Sequence, residues 1–509
     1  MKNNTWKPFA ITLLVVVILM GMFYLPRIQV GDRLLRRVNI LSEIQTRDSE
    51  GNILAEEDAD RAEGIVVQHF DSTATQIHQD IYVDSVPEGM TPIEDFCNGE
   101  APIMDRFYAA LSEAKDRLVR IAYFGDSYIE GDIITEDLRD MLQQRYGGCG
   151  VGFVDIHSIT AGFRQTVRAK SLGWNDHSAN DKGSAFNKSY QGINGRYFIC
   201  SNGSVELTGQ HRKYGQRLDT AQVATVYFTP GPGLNATYSV NGKDTLNFYT
   251  TGGEATYEEQ TYTVQDRHIN VTYNEDSTEA YYDTTYTTRE VHTSVGRQEQ
   301  GHIVHKSVKG RIHSFALDVK GGGSSRFYGI ALDGAKGIAV DNFSMRGSNG
   351  WYIKDIPLET LKTFQSIRPY DLIIVHFGLN TASRTQKDYS AYTKRMAQSI
   401  AHLRKAFPEA AILVVSIADR EEKNADGQMH TMPGVRELIS YQRKMASDQH
   451  VAFWNIYEAM GGDGSLAEMV EKKMANLDYT HINFSGGRHL AKLLFDVLQN
   501  GKKNYEARK

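Results

Sequence analysis

The sequence predicts an α/β protein in which a parallel sheet carries helices on both faces and is interrupted by a long all-β segment. Short, almost continuous apolar runs such as DLIIVHF (Asp371–Phe377) are typical of strands buried on both sides. They alternate with stretches whose apolar residues recur at helical spacing, and such alternation favours parallel pairing. From about Ile156 to Gly322, helical periodicity gives way to short alternating runs separated by Gly, Asn and Pro.

The composition is that of a globular protein and excludes few function classes. A chain of 509 residues is long enough for two or three domains. The formal net charge of −6 gives no basic footprint, so we expect no nucleic acid partner. Three cysteines, Cys97, Cys149 and Cys200, are too few for a disulfide framework and have no metal-ligand spacing. One pair is open to bridging in an oxidising compartment, and the sequence does not say which.

The N-terminal segment has the properties of a membrane anchor. Phe9–Leu25 is an uncharged apolar run near the minimum length of a membrane-spanning helix, and Lys2 and Lys7 precede it. No small-residue cleavage site follows, which favours an uncleaved anchor over a removed signal peptide. We therefore expect a transmembrane helix within residues 1–26. Residues 27–100 are polar, with an acidic first half, and are expected to be a linker with little structure of its own.

The first part of the α/β domain is predicted at residues 101–156, where Ser127 follows a strand. Ile121–Phe124 reads as a buried strand that Gly125 breaks, and Ile133–Tyr146 has helical spacing. Ser127 therefore lies near the carboxyl end of a strand, where ligands bind in open α/β sheets. Asp126 and Ser127 also suit a turn with a helix N-cap, and this stretch alone does not separate the two interpretations.

Residues 157–322 are predicted to form an inserted all-β domain that resembles a sandwich. The segment is too long for a loop. Asn241-Gly242 is a strong hairpin signal. Strands are expected at Val223–Phe228, Ala236–Val240, Asn270–Tyr273 and Ser314–Val319.

Residues 323–509 are predicted to complete the α/β domain. The expected strands are Gly337–Met345, Asp371–Phe377, Ala411–Ile417 and Val451–Trp454. The expected helices are Leu358–Ser366, Tyr389–Leu403, Pro433–Ser447 and Ser485–Leu498.

Four residues of this second part have the properties that a catalytic serine needs in its partners. Gly347 and Asn380 follow predicted strands, and Asp478 and His481 precede the last helix. A serine hydroxyl is a weak nucleophile that needs a base, and histidine has a suitable pKa. The base needs an orienting carboxylate, and the oxyanion needs N–H donors. Each of these residues alone also fits a turn, a cap or the surface.

Four short motifs, taken in order, resemble blocks I, II, III and V of the SGNH (GDSL-type) hydrolase superfamily. They are Gly125-Asp126-Ser127, Gly347, Gly378-x-Asn380 and Asp478-x-x-His481. The resemblance covers residues 118–146 and about 328–499. It implies a three-layer α/β/α sandwich with a parallel sheet.

The resemblance also implies roles for individual residues. Ser127 would be the nucleophile, His481 the base and Asp478 the residue that orients it. The oxyanion hole would consist of the N–H groups of Ser127 and Gly347 and the side-chain amide of Asn380. No metal and no organic cofactor are required by this chemistry.

A longer stretch, Val451–Met469, is similar to bacterial envelope members of the superfamily that act on O-acetylated polysaccharide. These include peptidoglycan O-acetylesterases in which a β-sandwich is inserted between blocks I and II, which is where residues 157–322 fall. Tyr128 is a departure, because related sequences often carry His after the serine. This departure concerns substrate preference and not the nucleophile.

The resemblance leaves several activities open. A carbohydrate O-acetylesterase outside the cytoplasm, in the periplasm and anchored in the membrane, is the first expectation. An O-acetyltransferase would use the same residues, with a membrane acyltransferase as a partner that supplies acetyl groups. A non-catalytic glycan-binding envelope protein, or a general lipase or thioesterase, is the remaining alternative.

Overall fold

The computed structural model describes residues 81–509 except 182–185, 210–215, 244, 252–256, 274–279, 297–301 and 425–426. It also describes two short antiparallel strands near the N-terminus, Gln29–Val30 and Arg33–Leu34. For residues 216, 257–273 and 280–296 only the backbone is described. None of the helices in these parts is long and apolar enough to cross a membrane. The expected anchor, Phe9–Leu25, lies outside the described residues.

A seven-stranded sheet forms the centre of the α/β domain. Five of its strands are parallel and two antiparallel strands extend one edge. In spatial order the strands are Gly337–Ser344, Leu118–Gly125, Leu372–His376, Ala411–Val415, Ala452–Trp454, Ile93–Asp95 and Tyr82–Val83. The predicted parallel sheet is therefore confirmed, and its strand ends agree with the expected ones to within a few residues.

Both faces of this sheet are covered, because successive side chains of each strand enter different hydrophobic cores. Phe124 and Ile373 belong to one core, whereas Tyr123 and Leu372 belong to the other. The first core also contains the helices Leu358–Ile367, Ser390–Ala406 and Gly434–Asp448. The second contains the helices Met104–Glu113, Thr135–Tyr146, Ser465–Glu471 and Phe484–Arg508. The layers are thus helix, sheet, helix.

The last helix is longer than its apolar pattern predicted. Phe484–Arg508 continues beyond Leu498 into a charged stretch. Gly501 and Tyr505 extend the buried face of this helix, and Tyr505 packs against Tyr108 with ring centroids 6.2 Å apart. Charged residues lie between these buried positions, so the sequence beyond Leu498 does not show apolar residues at helical spacing.

The predicted linker, residues 27–100, is structured at its end. Tyr82–Val83 and Ile93–Asp95 add two strands to the sheet, and Phe96 is completely buried. The expectation of little structure is therefore wrong for residues 81–100. Two strands of two and three residues are too short to show an alternating pattern, so the polar composition dominated the prediction.

The all-β region consists of two antiparallel sheets packed across a common core. The five-stranded sheet contains, in spatial order, Leu246–Thr250, Asn235–Val240, Ser314–Lys320, Asn202–Gly209 and Val167–Leu172. The six-stranded sheet contains Val304–Ile312, Ala221–Thr229, Arg326–Asp333, Arg196–Ile199, Asn175–Ser178 and, paired to the third of these, Gly152–Val154. Buried residues of both sheets, such as Leu317 and Phe228, share one core. This arrangement is the expected sandwich.

Three details of the all-β region bear on the sequence expectations. Asn241 and Gly242 both have positive φ, at 56° and 67°, between paired strands, as the hairpin signal predicted. The strand predicted at Asn270–Tyr273 is the end of a longer one, Tyr257–Tyr273, which pairs with Ala280–Gly296. All three cysteines are free thiols. The domain boundaries at 156 and 322 remain a prediction.

A buried arginine joins the sandwich to the α/β domain. Arg368 is completely buried and forms ion pairs of 2.6 Å with Asp333, at the end of a sandwich strand, and with Asp341, in the parallel sheet. Tyr370 donates a further hydrogen bond to Asp341, at 2.6 Å. Burial raises the pKa of Asp341, but the Arg368 guanidinium outweighs it and holds that pKa below its ordinary value.

We expect Arg368→Met to reduce the free energy of unfolding by about 3–5 kcal/mol, because it leaves two carboxylates buried without their cation. Arg117→Met is the matched control. Arg117 pairs with Asp371 at 2.6 Å but its side chain is 42% exposed, so its loss should cost less than about 1 kcal/mol. Urea denaturation of both variants measures the difference. Equal losses would contradict the assigned role of Arg368.

Candidate active site

Ser127 is held at the carboxyl end of a central strand. The strand Leu118–Gly125 ends at a glycine because a Cβ at this position would lie 2.8 Å from Ile129. Asp126 then accepts the Tyr128 N–H at 3.0 Å and caps the short 3-10 helix Ser127–Asp132. Ser127 is the first residue of that helix and is 9% exposed.

His481 and Asp478 lie in the loop before the helix Phe484–Arg508. One carboxylate oxygen of Asp478 accepts the backbone N–H groups of Thr480 and His481, both at 3.0 Å. Its other oxygen lies 2.7 Å from His481 Nδ1. Burial raises the pKa of Asp478, but the hydrogen bonds from His481 outweigh it, so the pKa is below its ordinary value and the group is an anion at neutral pH.

The structure brings the three predicted catalytic residues together. Ser127 Oγ lies 3.1 Å from His481 Nε2. When His481 carries its proton on Nδ1 and donates it in a hydrogen bond to Asp478, Nε2 is the unprotonated nitrogen of the neutral ring, so the Ser127 hydroxyl can donate to it. The hydrogen-bonded chain therefore runs from Ser127 through His481 to Asp478. The side chains of His481 and Asp478 are 38% and 47% exposed, so the chain borders solvent.

Two of the three predicted oxyanion donors, Gly347 and Asn380, follow the two strands that flank Leu118–Gly125. Gly347 has a φ of 73°, is exposed, and would leave an added Cβ without any atom within 4 Å. Asn380 donates its side-chain amide to Ser348 O at 3.1 Å and to Asp126 Oδ2 at 3.4 Å. Asn380 is thus placed between the segment of Gly347 and the residue before Ser127.

A segment that the sequence did not single out as a unit connects these loops. Arg420 donates to the carbonyl groups of Leu379 and Ala382, both at 3.3 Å, on the turn that carries Asn380. The Glu421 N–H donates to Tyr479 O at 3.0 Å, between Asp478 and His481. This segment follows the strand Ala411–Val415. Its position after a predicted strand was the available signal, but its backbone contacts have no signature in the sequence.

Metal binding has no candidate site in the described part of the chain. No group of three or more His, Cys, Asp and Glu side chains is placed there to hold an ion.

His376 is a buried histidine in the strand next to the one that precedes Ser127. Its Nδ1 lies 3.1 Å from Tyr123 OH, and burial lowers the pKa of the ring to about 3. It is therefore a neutral ring within the strand Leu372–His376.

Asp126 is a buried carboxylate whose ionisation opposes folding. Burial raises its pKa from 3.8 to about 6, despite hydrogen bonds from the Tyr128, Leu379 and Gly378 N–H groups, which lower it. A raised folded-state pKa contributes stability that is present below the unfolded-state pKa, near 4, and is lost as the pH rises through about 6.

We therefore predict that wild type loses stability relative to Asp126→Asn between pH 4 and pH 7. The difference between 3.8 and about 6 corresponds to roughly 3 kcal/mol. Denaturation of both proteins at several pH values in this window gives the difference in their free energies of unfolding. The amide adds an amount that does not depend on pH, so the test is how this difference changes with pH. A difference that is flat, or that grows in favour of wild type, would contradict the raised pKa.

Comparison with solved structures identifies the fold. No family model matches this chain, and no curated protein matches it. A solved peptidoglycan O-acetylesterase aligns with 81% of this chain and 99% of its own length, at 19% identity and a TM-score of 0.58.

Two further structures align over smaller parts. A family two carbohydrate esterase from Clostridium thermocellum, solved with cellohexaose, covers 62% of this chain and 99% of its own, at 12% identity and a TM-score of 0.26. A putative GDSL-like lipase from Parabacteroides merdae covers 32% of this chain and 74% of its own, at 11% identity and a TM-score of 0.26. The sheet order, the two helical layers and the first alignment agree: the chain has the SGNH hydrolase fold with an additional β-domain.

Proposed function

We propose that this protein is a serine esterase of the SGNH type that removes O-acetyl groups from a cell-envelope or dietary polysaccharide. The observation that carries the proposal is the hydrogen-bonded chain from Ser127 Oγ to His481, at 3.1 Å, and from His481 to Asp478, at 2.7 Å. A hydroxyl becomes a useful nucleophile when an adjacent base is itself oriented by a third group.

The proposed reaction has two halves. Ser127 Oγ attacks the acetyl carbonyl carbon while His481 Nε2 takes the hydroxyl proton, and Asp478 stabilises the resulting imidazolium. The tetrahedral intermediate collapses when His481 returns that proton to the sugar oxygen, which leaves as an alcohol. Water, deprotonated by His481, then attacks the acetyl-serine and releases acetate and free Ser127.

Charge on the carbonyl oxygen would be stabilised by the predicted oxyanion donors. Gly347 borders open space, which leaves room for a substrate. The bond from Asn380 to Asp126, at 3.4 Å, is long and therefore weak, so the amide can exchange it for the substrate oxygen at small cost. The Ser127 N–H, at the start of a helical turn, would be the third donor.

The polysaccharide side of the proposal is supported by the structural alignment. A peptidoglycan O-acetylesterase is among the solved structures that align with this chain, over 99% of its own length. This alignment supports an acetylated glycan as the substrate class and leaves the particular glycan to experiment. Transfer to a sugar hydroxyl instead of water would use the same acetyl-serine.

We further propose that the catalytic part lies outside the cytoplasm and is anchored in the membrane. The support is the uncharged run Phe9–Leu25 together with a substrate that occurs outside the cell membrane. Sedimentation of the full chain with membranes until detergent is added, beside a chain lacking residues 1–26, measures the anchoring. Full-length protein that stays in the supernatant would contradict it.

We predict that a soluble chain lacking residues 1–26 releases acetate from O-acetylated peptidoglycan or acetylated xylan, and that Ser127→Ala lowers the rate by about 10³-fold or more. Ser440→Ala is the matched control. Its Oγ donates only to Arg436 O on an exposed helix surface, so it should behave like wild type.

The outcomes of this experiment separate the candidate functions. No release from either glycan, with 4-nitrophenyl acetate still turned over through Ser127, would contradict the esterase and favour the transferase. An added glycan acceptor should then become acetylated. Wild type and Ser127→Ala that behave alike on every ester, with intact folding, would contradict any catalytic role of this site.

A further inference from the structure

A cavity of about 270 Å³ opens beside Gly347, between the all-β region and the α/β domain. One wall comes from residues 347–355, which follow the strand Gly337–Ser344 at one edge of the parallel sheet. The other comes from residues 179–180 and 186–191 of the all-β region. Because Gly347 is a predicted oxyanion donor, a group in this cavity would lie next to the ester carbonyl. We propose that this cavity is the subsite for the sugar ring that carries the acetyl group, an inference that rests on the proposed esterase function.

The size of the cavity excludes the acetyl group as its main occupant. A volume of about 270 Å³ is close to the lower end, roughly 300 Å³, of pockets that enclose small organic molecules. An acetyl methyl group would fill only a small part of it. Either a sugar ring or a long acyl chain matches this volume, and the lining separates these two.

The lining combines amide and charged residues with aromatic residues. Five of the eleven lining residues carry an amide or a charge: Asn180, Lys188, Gln191, Asn349 and Asp355. Three are aromatic: Phe186, Trp351 and Tyr352. Hydroxyl groups of a pyranose are donors and acceptors, and its C–H face packs on aromatic rings, so this combination suits a sugar. An acyl chain would displace water from these amide and charged groups and offer no hydrogen bond in return.

The two walls are joined by direct contacts, so the cavity is preformed. Lys188 Nζ lies 3.1 Å from an Asp355 carboxylate oxygen, and Gln191 Nε2 donates to Asp355 O at 2.7 Å. The Arg395 guanidinium stacks 4.4 Å from the centre of the Trp351 ring and holds the indole. A site whose walls are already fixed loses less entropy when a ligand binds.

One contact links the cavity to the oxyanion donor itself. Asn180 Nδ2 donates to Arg346 O at 2.7 Å. This carbonyl and the Gly347 N–H belong to the same peptide plane, in which C=O and N–H point in opposite directions. Fixing the carbonyl therefore fixes the direction of the Gly347 N–H. The all-β region thus forms a wall of the subsite and also orients a predicted oxyanion donor.

Binding to the Ser127→Ala protein tests the subsite without catalysis. Soluble O-acetylated peptidoglycan fragments and acetylated xylo-oligosaccharides are titrated by calorimetry. At least one of them should bind, and Lys188→Ala or Trp351→Leu on the same background should weaken that binding about tenfold. Trp351→Phe, which keeps an aromatic face, should restore most of it. Lys170→Ala is the matched control: Lys170 is 65% exposed, Lys188 is 70% exposed, both pair with a carboxylate, and Lys170 does not line the cavity.

The results separate this proposal from the esterase proposal. Absence of binding for both glycans, or equal losses in Lys188→Ala and Lys170→Ala, would overturn the subsite. Glycan that binds through Lys188 and Trp351 while wild type releases no acetate would overturn the esterase and keep the subsite. A series of 4-nitrophenyl esters from acetate to octanoate tests the acyl-chain alternative. A rate that rises with chain length and loses this rise in Trp351→Leu would overturn the sugar assignment.

Discussion

Parallel pairing of three strands is the constraint on which the candidate site depends. Leu118–Gly125 pairs with Gly337–Ser344 on one side and with Leu372–His376 on the other, and Gly125 is in register with the last residue of each neighbour. Parallel strands in register end at the same edge of a sheet. Ser127, Gly347 and Asn380 follow these three ends at distances of two to four residues, so the pairing alone brings them to one place.

Asp478 and His481 lie in a loop that is not part of the sheet. Asp478 shapes this loop by accepting two backbone N–H groups with one oxygen and contacting the His481 ring with the other. The Glu421 N–H, which belongs to a different segment, donates a hydrogen bond to Tyr479 O in this loop. The all-β region is attached by a shared hydrophobic core, in which Tyr227 and Tyr328 of the sandwich pack against Phe364 of the α/β domain. The buried ion pairs of Arg368 cross the same interface.

Local patterns predicted most of the fold, because each central strand is buried on both faces and each helix has an apolar face. The order of the motifs predicted which residues meet: Ser127, His481 and Asp478 are in hydrogen-bonding distance. Their catalytic roles remain predictions until measured. The strand Ile93–Asp95 was missed because three residues are too few to show an alternating pattern.

Long-range polar contacts were beyond prediction for a different reason. Asn180 contacts Arg346 O across 166 residues of chain, and Arg368 contacts Asp333 across 35. Nothing in the local sequence of Asn180 distinguishes it from an ordinary turn residue. The cavity wall likewise combines residues 179–180 and 186–191 with residues 347–355, which are distant in the sequence and come together only in the folded chain.

The central claim is that His481 activates Ser127 as a nucleophile. Labelling with a fluorophosphonate, which reacts covalently with activated serines, followed by mass spectrometry of the digested protein, tests it most directly. We expect one adduct, on Ser127, that forms rapidly in wild type and at least about 10³-fold more slowly in His481→Ala. An adduct on another residue, or equal labelling rates in wild type and a folded His481→Ala protein, would contradict activation of Ser127 by His481.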